Sequence, residues 1–179
     1  MRYLAVAGLA ALFLAGCGFH LRSAHEFALP ASLSVLRVRM PSSGLKYPGL
    51  VLVVRHALED RGVRIVDHRK APTVVLGGEM MNPVVVTLNS NGGASAYLLD
   101  YAVTFSLVGP GGRLLMAPRT VRVQREYSFN PENVLAMARE QSYLERRMRL
   151  SAARQIVWAL ATYKGPPAVA AAPHKPHAP

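Results

Sequence analysis

Apolar and polar positions along this chain fall into segments with two different periods. Ser34-Val35-Leu36-Arg37-Val38-Arg39 alternates and stops short of Pro41, which predicts a strand. Pro48 suits a first helical position, Leu50, Val53, Val54, Ala57 and Leu58 recur at helical spacing, and Gly62 supplies a stop, so a helix is expected over about residues 48–61. Val63 to Val66 reads as a short strand ahead of a long run from Thr73 to Leu88, within which Gly77, Gly78 and Pro83 predict a bulge or bend. Asn89-Ser90-Asn91-Gly92-Gly93 is a hairpin tip by composition. The strand after it has the clearest pattern in the chain. Tyr97, Leu99, Tyr101, Val103, Phe105 and Leu107 share one face, and Asp100, Thr104 and Ser106 the other, as in an antiparallel strand with one side on a core. Gly109-Pro110-Gly111-Gly112 makes a second turn, after which Val121, Val123 and Tyr127 alternate with Arg122, Gln124 and Glu126. Asn130-Pro131-Glu132 then opens a final helix with a cap, a first-turn proline and an acid at the positive end of the helix dipole. Its apolar stripe runs Val134, Met137, Ala138, Leu144, Met148, Ala152, Ile156, Ala159 and Leu160. The order β-α-β-β-β-α, with room for one extra short strand, predicts an α+β fold: a mainly antiparallel sheet of about four strands packed by two helices on one face.

The two ends follow other rules. Met1-Arg2 gives a positive start, Tyr3 to Ala15 is an almost unbroken apolar run, and Leu14-Ala15-Gly16-Cys17 closes it. The run is shorter than the roughly 20 residues that span a bilayer and has the layout of a secretory signal. Leu-Ala-Gly-Cys resembles the lipobox of bacterial lipoproteins, in which the cysteine is acylated and becomes the new N-terminus. The expected organisation is therefore a signal peptide at 1–16, a lipidated tether at 17–32, an α+β domain at 33–163, and a disordered Pro/Ala/His tail at 164–179. The resemblance implies that Cys17 is the lipid attachment site. Gly18, where an Asp would retain such a protein at the inner membrane, points to the outer membrane and its periplasmic face. Cys17 is the one cysteine, so the exported domain is expected to rely on a packed core rather than a disulfide.

Charge and chemistry narrow the function. The chain carries 21 Lys and Arg against 10 Asp and Glu, a formal net charge of +11. Most of the cations are Arg, whose planar fork suits phosphate. Export argues against nucleic acid and leaves lipid phosphates as the anions at hand. Nothing in the sequence calls for a cofactor, a metal or a catalytic residue. Gly93-Ala94-Ser95-Ala96-Tyr97 begins like a nucleophile elbow but lacks the closing glycine and precedes a strand. Gly109-x-Gly111-Gly112 joins two strands, so it offers no helix N-terminus to a phosphate. The histidines show no ligand spacing.

In order along the chain, Cys17-Gly18-Phe19-His20-Leu21-Arg22, the Tyr97–Leu107 strand with its Gly-rich turn, Arg125-x-Tyr127, Asn130-Pro131 with Val134-Leu135-Ala136, Glu140-Gln141, Met148 and the closing Gln155-Ile156…Leu160 resemble the LptE family of lipopolysaccharide-assembly lipoproteins. The resemblance covers nearly everything but the tail. It implies a sheet with two helices that plugs and helps assemble the LptD β-barrel, the two together inserting lipopolysaccharide into the outer leaflet, with lipopolysaccharide as a ligand and no chemical reaction. The sequence departs from the family at the hairpin tip, where Asn89-Ser90-Asn91 stands in place of a basic residue, and at Met137, where a Lys can stand. Arg122, Arg125, Arg139 and Arg146 are the candidates for contact with lipopolysaccharide phosphate or with the partner. The competing expectation is an accessory subunit or scaffold of another envelope complex.

Overall fold

The computed structural model describes residues 29–41 and 49–165. Within them the chain forms β1 (Val35–Arg39), α1 (Gly49–Glu59), β2 (Arg64–Ile65), β3 (Thr73–Leu88), β4 (Ala94–Val108), β5 (Leu114–Ser128) and α2 (Val134–Ala161). Cys17, the signal, most of the tether and the end of the tail lie outside the described residues, as does Pro48 ahead of α1.

The strands make one sheet in the order β2-β1-β3-β4-β5. It has five strands rather than about four, and it is mixed. β1 runs parallel to both β2 and β3, whereas β3, β4 and β5 form an antiparallel meander. For β2 the cause is the connection through α1. A helix between two strands returns the chain to its starting end, so the next strand runs in the same direction, whereas tight turns reverse it. Val63 to Val66 was expected as a strand; the two residues Arg64–Ile65 pair with Val35 and Leu36 at the sheet edge.

Residues facing the helices form the core. Leu76, Leu99, Tyr101, Val103, Phe105 and Leu107 from the sheet meet Leu50, Val54 and Leu58 of α1 and Met148, Ala152, Ile156 and Leu160 of α2. The alternation expected for β4 is therefore present, with Asp100, Thr104 and Ser106 on the outer face. α1 ends at Glu59, and the turn after it closes on Gly62, whose φ of 78° places it in the left-handed region open to glycine. Asn130 caps the start of the last helical segment by accepting from the Glu132 amide at 2.9 Å, and one 3-10 turn at Pro131–Asn133 leads into α2.

Register breaks interrupt the meander, among them one between Val85 and Leu88 near the hairpin tip, and two others place key residues. Leu76 pairs with Phe105 and Glu79 with Val103, so Gly77 and Gly78 together oppose Thr104. This is the bulge the glycines announced; at Pro83 the register runs on undisturbed. The second lies on β5, where Met116 pairs with Leu107 and Arg119 with Phe105, leaving Ala117 and Pro118 in the irregular stretch. Proline has no amide to give a ladder, so it settles at such a place.

Candidate functional site

The meander is longer than the helical layer that covers it. From Glu79 onward β3 passes beyond its short pairing with β1, which ends at Val75, and among the described residues its far edge has no neighbouring strand. Met80, Val84, Val85, Val86 and Leu88 are all large and exposed, Leu88 to 62%. They lie on both faces. Val84 pairs with Leu98 on the outer side, and Val85 with Tyr97 on the helix side. A Val-Val-Val run in a strand ordinarily means that both faces are covered, yet among the described residues nothing covers these three fully.

The start of α2 adds to the same end. Val134 and Leu135 are 64% and 79% exposed, and Tyr143 is exposed too. Of the expected stripe, Met148, Ala152, Ile156, Ala159 and Leu160 are buried, while Val134 and Ala138 are exposed and Met137 is only half-buried. Aromatic rings close the helix side of the sheet at this end. Tyr97 stacks on Tyr127 at 5.7 Å between centroids and meets Phe129 edge-on at 5.2 Å. At the tip, Asn89 Oδ1 accepts from the Asn91 and Gly93 amides at 3.0 and 2.9 Å, which fixes the turn without any charged side chain. The outcome is an end rich in exposed apolar side chains, with an uncharged hairpin tip and, among the described residues, no strand along the edge of β3. The opposite edge of the sheet, β5, carries Arg119, Arg122, Arg125 and Pro118, residues that discourage strand addition.

The structure separates the four candidate arginines. Arg139 and Arg146 lie two helical turns apart on one face of α2 and, with Leu135, Ala138 and Ser142, line a shallow groove of about 330 Å³. Arg125 pairs with Leu99 on the helix-side face of β5 and donates to the Gln124 carbonyl at 3.2 Å. Arg122 pairs with Ala102 on the opposite face. Two of the four are thus brought together, and the other two point to opposite sides of one strand.

A polar cluster escaped the sequence reading. Glu79, with its side chain fully buried, accepts on Oε1 from the Tyr101 hydroxyl at 2.7 Å and from Arg149 Nε at 2.9 Å. Arg149 also lies 3.8 Å from Glu145, which accepts from Gln141 at 3.2 Å. The bulge is what makes this possible. Without the extra residue Glu79 would project to the outer face; with it, the side chain turns toward α2. Burial, reinforced by the Glu79 carboxylate, pushes the Tyr101 phenol well above its ordinary range. The Tyr127 phenol is raised as well, mainly by burial. The sequence signal was the glycine pair before an acid, which shifts that acid by one register position.

Among the described residues no group of three or more His, Cys, Asp or Glu is placed to hold a metal. Among them, too, no helix is long and apolar enough to cross a membrane.

The comparisons with known proteins agree with this architecture. The chain is 33% identical to the LPS-assembly lipoprotein LptE of Photorhabdus laumondii over 157 residues, 87% of this chain and 82% of that one. It is 32% identical to the LPS-assembly lipoprotein LptE of Pectobacterium atrosepticum over 163 residues, covering 89% and 85%. Among solved structures, the rare lipoprotein B of Shewanella oneidensis superimposes with a TM-score of 0.61 at 28% identity, over 71% of this chain and 93% of that one. A minor lipoprotein of Acinetobacter baumannii shares the fold, with a TM-score of 0.64 at 22% identity over 76% and 97%. With residues 38–160 also matched by the family model described as "LptE: Lipopolysaccharide-assembly", the chain belongs to the LptE family.

Proposed function

We propose that this protein is the lipid-anchored plug of the LptD β-barrel in the outer membrane, and that it helps the barrel assemble and deliver lipopolysaccharide to the outer leaflet. The observation that carries the reading is the uncovered apolar end of the β3–β4 hairpin together with the start of α2. Exposed apolar side chains gathered at one end of a domain mark a protein interface. The tip is uncharged and narrow, so it suits entry into a barrel lumen. Relatives named for lipopolysaccharide assembly supply the partner's chemistry.

In this reading residues 1–16 are removed, Cys17 is acylated, and the segment to about residue 32 tethers the domain on the periplasmic side. One acyl chain holds a protein only marginally, so stable anchoring needs more than one. Arg139 and Arg146, which share a groove, are the proposed contacts for a lipopolysaccharide phosphate. Arg122 and Arg125, on opposite faces of an edge strand, are proposed to face the barrel. No chemical reaction enters the reading.

The test is to tag the C-terminus, extract outer membranes in mild detergent and identify what co-purifies at low and high salt. A single large, heat-modifiable barrel in about equal amount is expected, and it should persist at high salt because apolar contacts are not screened. Recovery of the lipoprotein alone, with LptD assembled normally elsewhere in the membrane, would refute the plug. A stable complex with some other envelope protein would make the chain an accessory subunit of that machine.

A further inference from the structure

At the end of the sheet opposite the hairpin tip lies a second basic site, distinct from the four candidate arginines. Arg37 and Arg39 occupy alternate positions of β1, so both side chains leave the same face, about 7 Å apart along the strand. Leu36 and Val38 between and beside them are buried, which puts the arginines on the outer, helix-free face. Arg69, from the loop between β2 and β3, reaches the same place, and the three line a pocket of about 410 Å³ with Thr73 and the backbone of Gly111 and Gly112. The two glycines have φ of 78° and 86°, a conformation that keeps the turn free of side chains and the pocket open above the sheet.

Two features separate this pocket from an ordinary solvated face. No acidic residue lines it, and among the described residues no carboxylate lies within ion-pair distance of Arg37, Arg39 or Arg69. Arg37 is moreover half-buried. A guanidinium withdrawn from water without a counter-charge is poorly placed on its own and well placed around an anion. Converging guanidiniums hold phosphate through paired N–H donors.

We infer that the pocket formed by Arg37, Arg39 and Arg69 against the Gly109–Gly112 turn binds a phosphate group, free or carried on a membrane-lipid headgroup. Position favours the headgroup. Arg37 pairs with Thr73, the first residue of β3, so Val35, where β1 begins, lies at this same end of the sheet. An acylated N-terminus would lead into the end that carries the pocket. The inference goes beyond the barrel reading; only its preference for the headgroup rests on the lipid anchor of that reading.

The experiment uses the full chain carrying Cys17→Ser, so that no acyl chain contributes to binding. Inorganic phosphate is titrated while the arginine side-chain N–H signals are followed by NMR. Saturable shifts confined to Arg37, Arg39 and Arg69 are expected. Arg37→Gln/Arg39→Gln should weaken phosphate binding at least tenfold, whereas Arg147→Gln/Arg154→Gln, with the same change in charge, should leave it unaltered. Should the first pair fail to fold, Arg39→Gln alone, at an exposed position, should weaken binding about threefold.

In a second arm the same proteins are floated with phosphatidylglycerol or phosphatidylcholine vesicles. Loss of the phosphatidylglycerol preference in Arg37→Gln/Arg39→Gln assigns the pocket to headgroups. Phosphate binding without such a preference assigns it to soluble phosphate. Absence of saturable shifts, or equal weakening by both arginine pairs, overturns the inference.

Discussion

Glu79 receives Tyr101 and Arg149 on one oxygen inside the domain, and that convergence governs the behaviour of all three residues. Removing one partner of a buried ion pair strands the other charge. Arg149→Met should therefore cost about 3–5 kcal/mol. Glu79→Leu/Arg149→Met removes both charges and should recover most of that loss, as urea denaturation of the single and double variants would show. A double variant as unstable as the single would mean that the pair is not the unit. Tyr101 adds a pH signature. Its phenol is raised in the folded state, so above pH of about 10 the unfolded chain gives up a proton that the folded chain retains. Stability is thus complete below that pH and falls as pH rises, by about 1.4 kcal/mol per unit for this group. Tyr101→Phe should flatten the fall between pH of about 10 and 12, and melts of both proteins across that range would measure the difference. The pairing of Glu79 with Arg149 could not be seen in the sequence, because the two lie 70 positions apart; the glycine pair before Glu79 and the inward face of Tyr101 were its only signals. Arg139 and Arg146 were easier to pair: seven residues within one helix share a face by geometry alone.

Elements with a strict period were legible. β4 alternates because one side lies on a core and the other on solvent, and α1 displays its buried stripe of Leu50, Val54 and Leu58 at helical spacing. What the period does not reveal is direction or extent. Nothing in Val35–Arg39 tells that its neighbours run parallel; for β2 that follows from the α1 connection, and for β3 from the loop that carries the chain back across β1. Likewise the stripe of α2 continues to Val134 in sequence, but burial begins in earnest at Met148, because amphipathic spacing says which side is apolar and not what covers it. The Gly77-Gly78 bulge is the element on which the polar cluster rests. A Cβ at Gly77 would sit 3.2 Å from the Thr104 carbonyl oxygen, a backbone atom held in the ladder. Gly77→Ala should cost about 1–3 kcal/mol by thermal denaturation. Gly78→Ala, with open space at that position, should cost less. Equal losses would show that the close approach is not what demands glycine.

For the whole molecule, the division is between a packed end, where both helices cover the sheet, and an uncovered end, where β3 and the first turns of α2 stand clear. Val84 belongs to the second. Val84→Arg should change stability by no more than about 0.5 kcal/mol, because its side chain is exposed among the described residues, yet it should abolish co-purification of the barrel. Retained binding at unchanged stability would move the interface elsewhere. The open edge of β3 also has a bearing on how much of this protein a cell can hold. A long apolar strand with free backbone donors and acceptors templates another such strand, so copies lacking a partner are exposed to one another. Synthesis in excess of the partner should therefore yield misassembled or proteolysed chains rather than a reserve pool. The abundance of this lipoprotein would then be set by the supply of the protein that covers its edge.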